Sequence, residues 1–168
     1  MKGGIFAMTT NTRSQSLDSV ERAQRVLDQD HERLHPIGWR IQQSASDGKA
    51  LAAALEELDS ALIEHFAHEE SPEGLLAILG TNASPERQAF AEILAEHESV
   101  LANVQELLSQ AQAGTTSPAG LAAQATMLTR ILADHEEREK QLTTAILSPR
   151  PAPERAAPGS LSADSPRR

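Results

Sequence analysis

Four histidines each follow directly after an acidic residue: Asp30-His31, Glu64-His65, Glu96-His97 and Asp134-His135. They are spaced 34, 32 and 38 residues apart, about the repeat of an up-and-down helical hairpin. Two of them open the same pattern, His65-x-x-x-Glu69 and His135-x-x-x-Glu139, and a separation of four puts each pair on one face of a helix. Six nitrogen and oxygen donors recurring at helical-hairpin intervals point to a dinuclear metal site inside a four-helix bundle.

The elements that must carry these residues follow from hydrophobic periodicity. Val20, Leu27, Leu34 and Ile41 form one stripe of a first helix from about Asp18 to Ser44, with a kink expected after His35 at Pro36 and Gly38. Asp47-Gly48 reads as a turn. A second helix, about 49–70, carries Leu51, Leu55, Leu58, Leu62, His65 and Glu69 in alternating steps of four and three, a bundle-core seam. Ser71-Pro72 ends it, and 72–79 suits a short connecting helix. Ser84-Pro85 and Ser117-Pro118 each supply an N-cap followed by proline at the first helical position. The third seam runs Phe90, Leu94, His97, Leu101, Val104, Leu108; the fourth runs Leu128, Ile131, His135, Glu139, Leu142, Ile146.

In antiparallel neighbours, residues equidistant from the connecting turn share a height. The midpoints between successive histidines of the set fall at 48, 81 and 116, each within a turn signal. The four imidazoles are therefore expected in one layer, roughly 25 Å from the turns at about 1.5 Å per residue. Burying an unpartnered polar group costs roughly 1–3 kcal/mol and a bare carboxylate far more, against a total stability of about 5–15 kcal/mol. A pair of metal ions resolves the conflict: Glu69 and Glu139 bridge, while His31, His65, His97 and His135 cap. About four protein donors per metal leave room for an oxo or hydroxo bridge and an outside ligand. His35, one turn after His31, is the rival for that position, and His68 lies off the seam. Both read as surface residues or supports, and Glu70, Glu98, Glu136 and Glu137 as solvated faces. The acids preceding the four histidines lie about 100° off the ligand face; they either orient ligands on a neighbouring helix or meet solvent.

Composition bounds the alternatives. A chain of 168 residues suits one domain. Ala, Leu and Ile dominate the apolar set, with no Tyr, one Trp and three Phe, which favours helix over sheet. A net charge of −9 argues against nucleic acid as partner. No run reaches the roughly 20 apolar residues that span a bilayer. Zero cysteines exclude disulfides, iron–sulfur clusters and thiolate zinc sites. No secretory signal is evident, so the expected location is the cytoplasm, and Met8 is an alternative start to Met1. The expected organisation is a flexible 1–17, a bundle over 18–147, and a disordered tail over 148–168 that holds five of the nine prolines. Within the tail, Gly159-Ser160-Leu161 is similar to an element of peptides that load cargo into encapsulin shells. It occurs once where those peptides repeat it, and a plain solvated tail is the better reading.

Asp30-His31, the run His65-Phe66-Ala67-His68-Glu69-Glu70, Glu96-His97 and His135-x-x-x-Glu139 together resemble the hemerythrin-like (HHE cation-binding) domain over about residues 18–147. The resemblance implies an all-α, up-down-up-down four-helix bundle with a non-haem pair of iron ions bridged by carboxylates. Departures from the oxygen-carrying hemerythrins stand out. Those place two histidines one turn apart on the third helix, whereas Ile93 and Leu101 flank His97 here. Their fourth-helix Asp, five residues after the histidine, is replaced by Lys140, and Glu139 is the substitute. The Leu-Phe-Pro that usually follows the second and fourth motifs is absent. The pattern is closer to hemerythrin-like proteins linked to iron or oxygen sensing, peroxide removal and NO response. Three readings stand: a di-iron protein that binds or reacts with O₂, peroxide or NO; a catalase-like peroxide-consuming enzyme; and an iron-regulated interaction module. The ligand set offers no obvious general acid or base, which argues against elaborate catalysis. Zinc or manganese also suits such donors.

Overall fold

The computed structural model describes residues 8–75, 79 and 85–147, with side chains from 21 to 75, at 79 and from 85 to 146. Four helices account for nearly all of this, and no strand occurs among the described residues: α1 (Met8–Ser44), α2 (Gly48–Glu70), α3 (Pro85–Ala113) and α4 (Pro118–Leu147). The expected N-cap Ser84, the turn near Thr81 and the tail 148–168 lie outside the described residues, as do the start at 1–7 and the side chains up to 20.

The local signals set the helix ends. Backbone N–H groups of Lys49 and Ala50 both donate to Asp47 Oδ1 at 3.1 Å, so the expected turn residue also caps α2. Ser117 caps α4 by accepting from the Gly120 N–H at 3.2 Å, with Pro118 next, where no intrahelical N–H is needed. Gly114 closes α3 at φ +63°, the left-handed conformation that ends helices and that glycine adopts without strain. α1 begins at Met8, ten residues before the expected start near Asp18, and neither Pro36 nor Gly38 ends it.

Each helix packs on the next, and α4 returns to α1. Cross-helix pairs fix the directions. On α1 and α2, Arg33 meets Glu64 and Arg40 meets Glu57. On α1 and α4, His35 meets Glu136 and Gln42 meets Thr129. On α2 and α3, Asp59 meets Gln105 and Glu56 meets Gln112; on α3 and α4, Glu96 meets Arg138 and Gln110 meets Gln124. Numbers rise on one helix as they fall on its neighbour, so all adjacent helices are antiparallel.

The core is interrupted. One apolar cluster, built on Leu34, Ile41, Leu55, Leu62, Val104 and Leu128, fills the end near the 45–47 and 114–117 turns. A smaller one, with Leu27, Leu75, Phe90, Ile93 and Leu142, fills the other end. Between them every helix contributes polar residues. The α2 seam is buried as expected from Leu51 to Glu69. The α3 seam is rotated from the expected one. Ile93, Val100 and Leu107 are buried, whereas Leu94, Leu101 and Leu108 are only partly so. Steps of three and four through His97 fit two overlapping stripes, and contact with both α2 and α4 selects the one between them.

The polar layer is also closer to one end than equal spacing suggested. Glu69 is the next-to-last residue of α2, because Ser71-Pro72 stops the helix early and a long connection leads to α3. The chain doubles back at once: Gly74 N–H donates to Ser71 carbonyl at 3.0 Å. A Cβ on Gly74 would lie 2.0 Å from the His68 carbonyl oxygen and 2.7 Å from that of Glu69, so only glycine fits. Gly38, by contrast, has open space around it within α1. Gly74→Ala should therefore destabilise the fold by about 1–3 kcal/mol through overpacking, whereas Gly38→Ala should stabilise it by roughly 0.5–1 kcal/mol. Urea unfolding of the two variants measures this, and equal midpoints would contradict the account.

Candidate metal centre

The helical seams bring all six predicted donors to one level. His65, Glu69, His97, His135 and Glu139 are buried, each at most 4% exposed, and His31 is partly buried. The donor atoms fall into two groups, Glu69 with His97, His135 and Glu139, and Glu139 with His31 and His65. The carboxylates face both ways. Glu139 Oε2 lies 2.9 Å from His31 Nε2, and its Oε1 lies 2.8 Å from His135 Nε2. Glu69 Oε1 lies 3.5 Å from His65 Nε2, and its Oε2 lies 3.0 Å from His97 Nε2. Glu69 thus lies between His65 and His97, one oxygen to each, and Glu139 lies between His31 and His135, with its Oε1 also 3.9 Å from His65 Nε2.

Outer contacts fix the rings. His97 Nδ1–H donates to Glu70 Oε1 at 2.9 Å, and His135 Nδ1–H donates to Glu96 Oε2 at 3.2 Å. Arg138 clamps Glu96 in turn. With Nδ1 protonated, each Nε2 is left as a lone pair facing inward. Asp30, itself buried, accepts from His68 Nδ1 at 2.7 Å and lies 3.8 Å from His65 Nδ1. Phe66 stacks on the His97 ring, 3.8 Å between centroids and 5° from parallel, and meets His135 edge-on.

Several expectations are refined. Glu70, read as a solvated face, instead holds His97, because the last turn of α2 directs it across to α3. Asp30 and Glu96 orient residues on neighbouring helices. Glu64 pairs with Arg33 at the surface, and Asp134 meets Arg138 through its carbonyl. His35 is exposed and bonded to Glu136, away from the donor groups, and His68 is half-exposed. Phe66 was not singled out by sequence; its place one residue after a ligand candidate gave no periodic signal. Ile93 and Leu101, flanking His97 on α3, pack as apolar side chains.

Electrostatics expose the conflict within this layer. Burial, with the adjacent Glu139 charge adding to it, pushes Glu69 up to about 11. Burial pushes His65 down to about 4. Burial also opposes charge on Glu139, yet bonds from His135, His31 and Glu69 hold it below the usual carboxylate range. His31 and His135 rise despite burial, because each faces Glu139. Metal-free, the layer is a neutral acid beside a carboxylate that leans on two histidines. Even so, seven buried side-chain atoms make no well-directed hydrogen bond among the described residues, although some lie within 3 Å of one another: both ring nitrogens of His65, both oxygens of Glu69, Nε2 of His97 and of His135, and Oε1 of Glu139. All seven lie on five of the six candidates. Buried polar groups are rarely left so, and metal cations would satisfy six of them, since imidazole and carboxylate are both suitable ligands; the seventh, His65 Nδ1, faces Asp30 at 3.8 Å. The donor set fits a metal.

The sequence profile of one protein family, described as hemerythrin HHE cation binding domain, matches residues 22–146. The chain belongs to the hemerythrin HHE cation-binding family. No curated protein and no solved structure gave a match. The matched span of this HHE domain holds all six donors, Phe66 and the three supporting carboxylates.

The titration pattern has a measurable consequence. Between pH 7 and 9 the folded, metal-free chain keeps a proton on Glu69 that the unfolded chain gives up above about 4.5. The folded state then binds more protons, so its stability falls as pH rises, by at most about 1.4 kcal/mol per unit for such a group. The raised His31 and His135 act in the same direction, and the depressed His65 acts only below its ordinary 6.5. Glu69→Gln imitates the neutral acid and has no proton to lose, so it should flatten the decline. Denaturant titrations of metal-free protein at pH 7, 8 and 9 check this; parallel slopes would reject it.

Proposed function

We propose that the chain is a non-haem di-iron protein that binds or reacts with O₂, peroxide or NO, in an oxygen- or iron-sensing or stress role. The observation that supports it is the position of Glu69 and Glu139 between histidines on opposite sides, Glu69 between His65 and His97 and Glu139 between His31 and His135. His31 and His65 would hold one iron, His97 and His135 the other, and both carboxylates would span them. Iron with nitrogen and oxygen ligands and an open position supplies redox chemistry with small diatomic ligands and peroxide.

The residues of the chain do the rest. Glu70 and Glu96 fix the tautomers of His97 and His135, keeping Nε2 free to bind. Phe66 and the flanking apolar clusters keep bulk water from the His97/His135 side. His31 is the donor with most contact to solvent, so a small ligand would approach on its side. Among the described residues, the carboxylates beside the donors, Asp30, Glu70 and Glu96, are each tied to a histidine, which favours binding or sensing over multi-step turnover.

Protein purified under air should contain about two iron ions per chain and absorb in the near ultraviolet. Glu139→Ala, which removes a donor shared by both groups, should lose most of that iron while remaining helical. A full complement of zinc or manganese in place of iron would defeat the di-iron reading, as would unchanged iron content in the variant. Vigorous oxygen evolution from added peroxide would move the assignment to a catalase-like enzyme.

A further inference from the structure

Among the described residues, an approach to the centre from outside is visible. A cleft of about 410 Å³ runs between α1 and α4 and reaches both His31 and Glu139. Clefts beside Trp39, beside Pro85 and beside Met127 are lined by none of the six donors. The α1–α4 seam is also the loosest of the four between neighbouring helices. Such a volume holds many waters, and so a hydrated ion.

The lining is strongly one-signed. Asp28, Glu136, Glu137 and Glu139 supply four carboxylates, against a single ammonium, Lys140. Asp28 and Glu137 are exposed at the mouth, and Glu136 is half-buried and hydrogen-bonded to His35 Nε2 at 3.1 Å. At the floor, Glu139 is 2% exposed; its Oε2 meets His31 Nε2 at 2.9 Å, and its Oε1, on the far side toward His135, makes no well-directed hydrogen bond. An acidic mouth leading to a buried carboxylate shared by both donor groups is a path with a destination. Low-dielectric walls lined by one sign of charge focus the field and raise the local concentration of the opposite ion.

We propose that the α1–α4 cleft is the route by which a hydrated divalent cation reaches the centre, drawn in by Asp28, Glu136 and Glu137 and delivered to His31 and Glu139. This rests on the metal-binding reading above. Lys140 opposes the traffic, so its charge sets the loading rate downward where the three acids set it upward. The acids act on the rate of arrival and leave the donor set intact.

The test mixes metal-free chain with excess Co²⁺ and follows its visible absorption by stopped flow, with bound cobalt counted after desalting. At low salt, the triple variant Asp28→Asn, Glu136→Gln, Glu137→Gln should load about tenfold more slowly than the wild type, yet reach the same final cobalt content. Lys140→Gln should load faster. A control triple on the α2–α3 side, Glu56→Gln, Asp59→Asn, Glu106→Gln, makes the same change in net charge and should load at nearly the wild-type rate. At ~0.5 M salt the difference between cleft variant and wild type should shrink, since screening shortens the reach of the field. Glu137→Gln alone, an exposed change, should slow loading by a smaller factor, which keeps a reading independent of the triple's folding. Equal rates for wild type and cleft triple with normal cobalt content, or equal slowing in the control, overturn the route alone. A wild-type chain that takes up no cobalt overturns the metal-binding reading, and the route with it.

Discussion

Two carboxyl groups and four imidazoles share one level of a helical core, and the rest of the molecule is arranged around that constraint. Apolar packing cannot accommodate them, because each desolvated charge needs a partner of opposite sign and each lone pair needs a donor or a cation. Glu69 and Glu139 illustrate the tension: side by side they cannot both ionise, so one is forced toward the neutral acid while the other is held charged by His31 and His135. The seven unsatisfied atoms are what remains after the protein's own hydrogen bonds have done what they can. Bound metal cations would supply what these lone pairs lack.

The division of the core follows from this. Leu, Ile, Val and Ala fill the bundle on either side of the polar level, a long cluster toward one end and a short one toward the other. These clusters supply the packing that holds the donor atoms close to one another. Support comes from outside the level as well. Glu70 and Glu96, on the last turn of α2 and mid-α3, reach across helix boundaries to fix rings on their neighbours, and Arg138 holds Glu96 in place. Asp30 ties α1 to α2 through His68. Metal geometry is thereby coupled to helix packing, the usual consequence of carboxylate support behind histidine ligands.

The asymmetry of the centre bears on its chemistry. The His97/His135 side is sealed by Phe66 and apolar neighbours, while the His31 side opens on the α1–α4 cleft. Lys140, next to Glu139 on α4, lines that cleft together with Asp28, Glu136 and Glu137, so the open side is also the charged one.

Much of this was legible in the chain. Histidine spacing, the repeated His-x-x-x-Glu and the turn midpoints were enough to place six donors in one layer, because helical periodicity and antiparallel pairing are local and geometric. Ser117-Pro118 and Asp47 announced their helix ends through capping chemistry. Other features needed the fold. Which of two overlapping stripes on α3 faces inward depended on two neighbours at once, so Ile93 and Val100 displaced Leu94 and Leu101. Glu70 could be recognised as a support only once α2 was seen to end beside His97, and Phe66 as a wall only once its ring lay on that imidazole. The sequence by itself determined the donors and their common height, since both follow from residue type and spacing along one chain. Tertiary structure alone decided which carboxylate oxygen faces which histidine, which acids stand behind them, and on which side the centre opens. Those depend on distances across helices, which no spacing along the chain encodes.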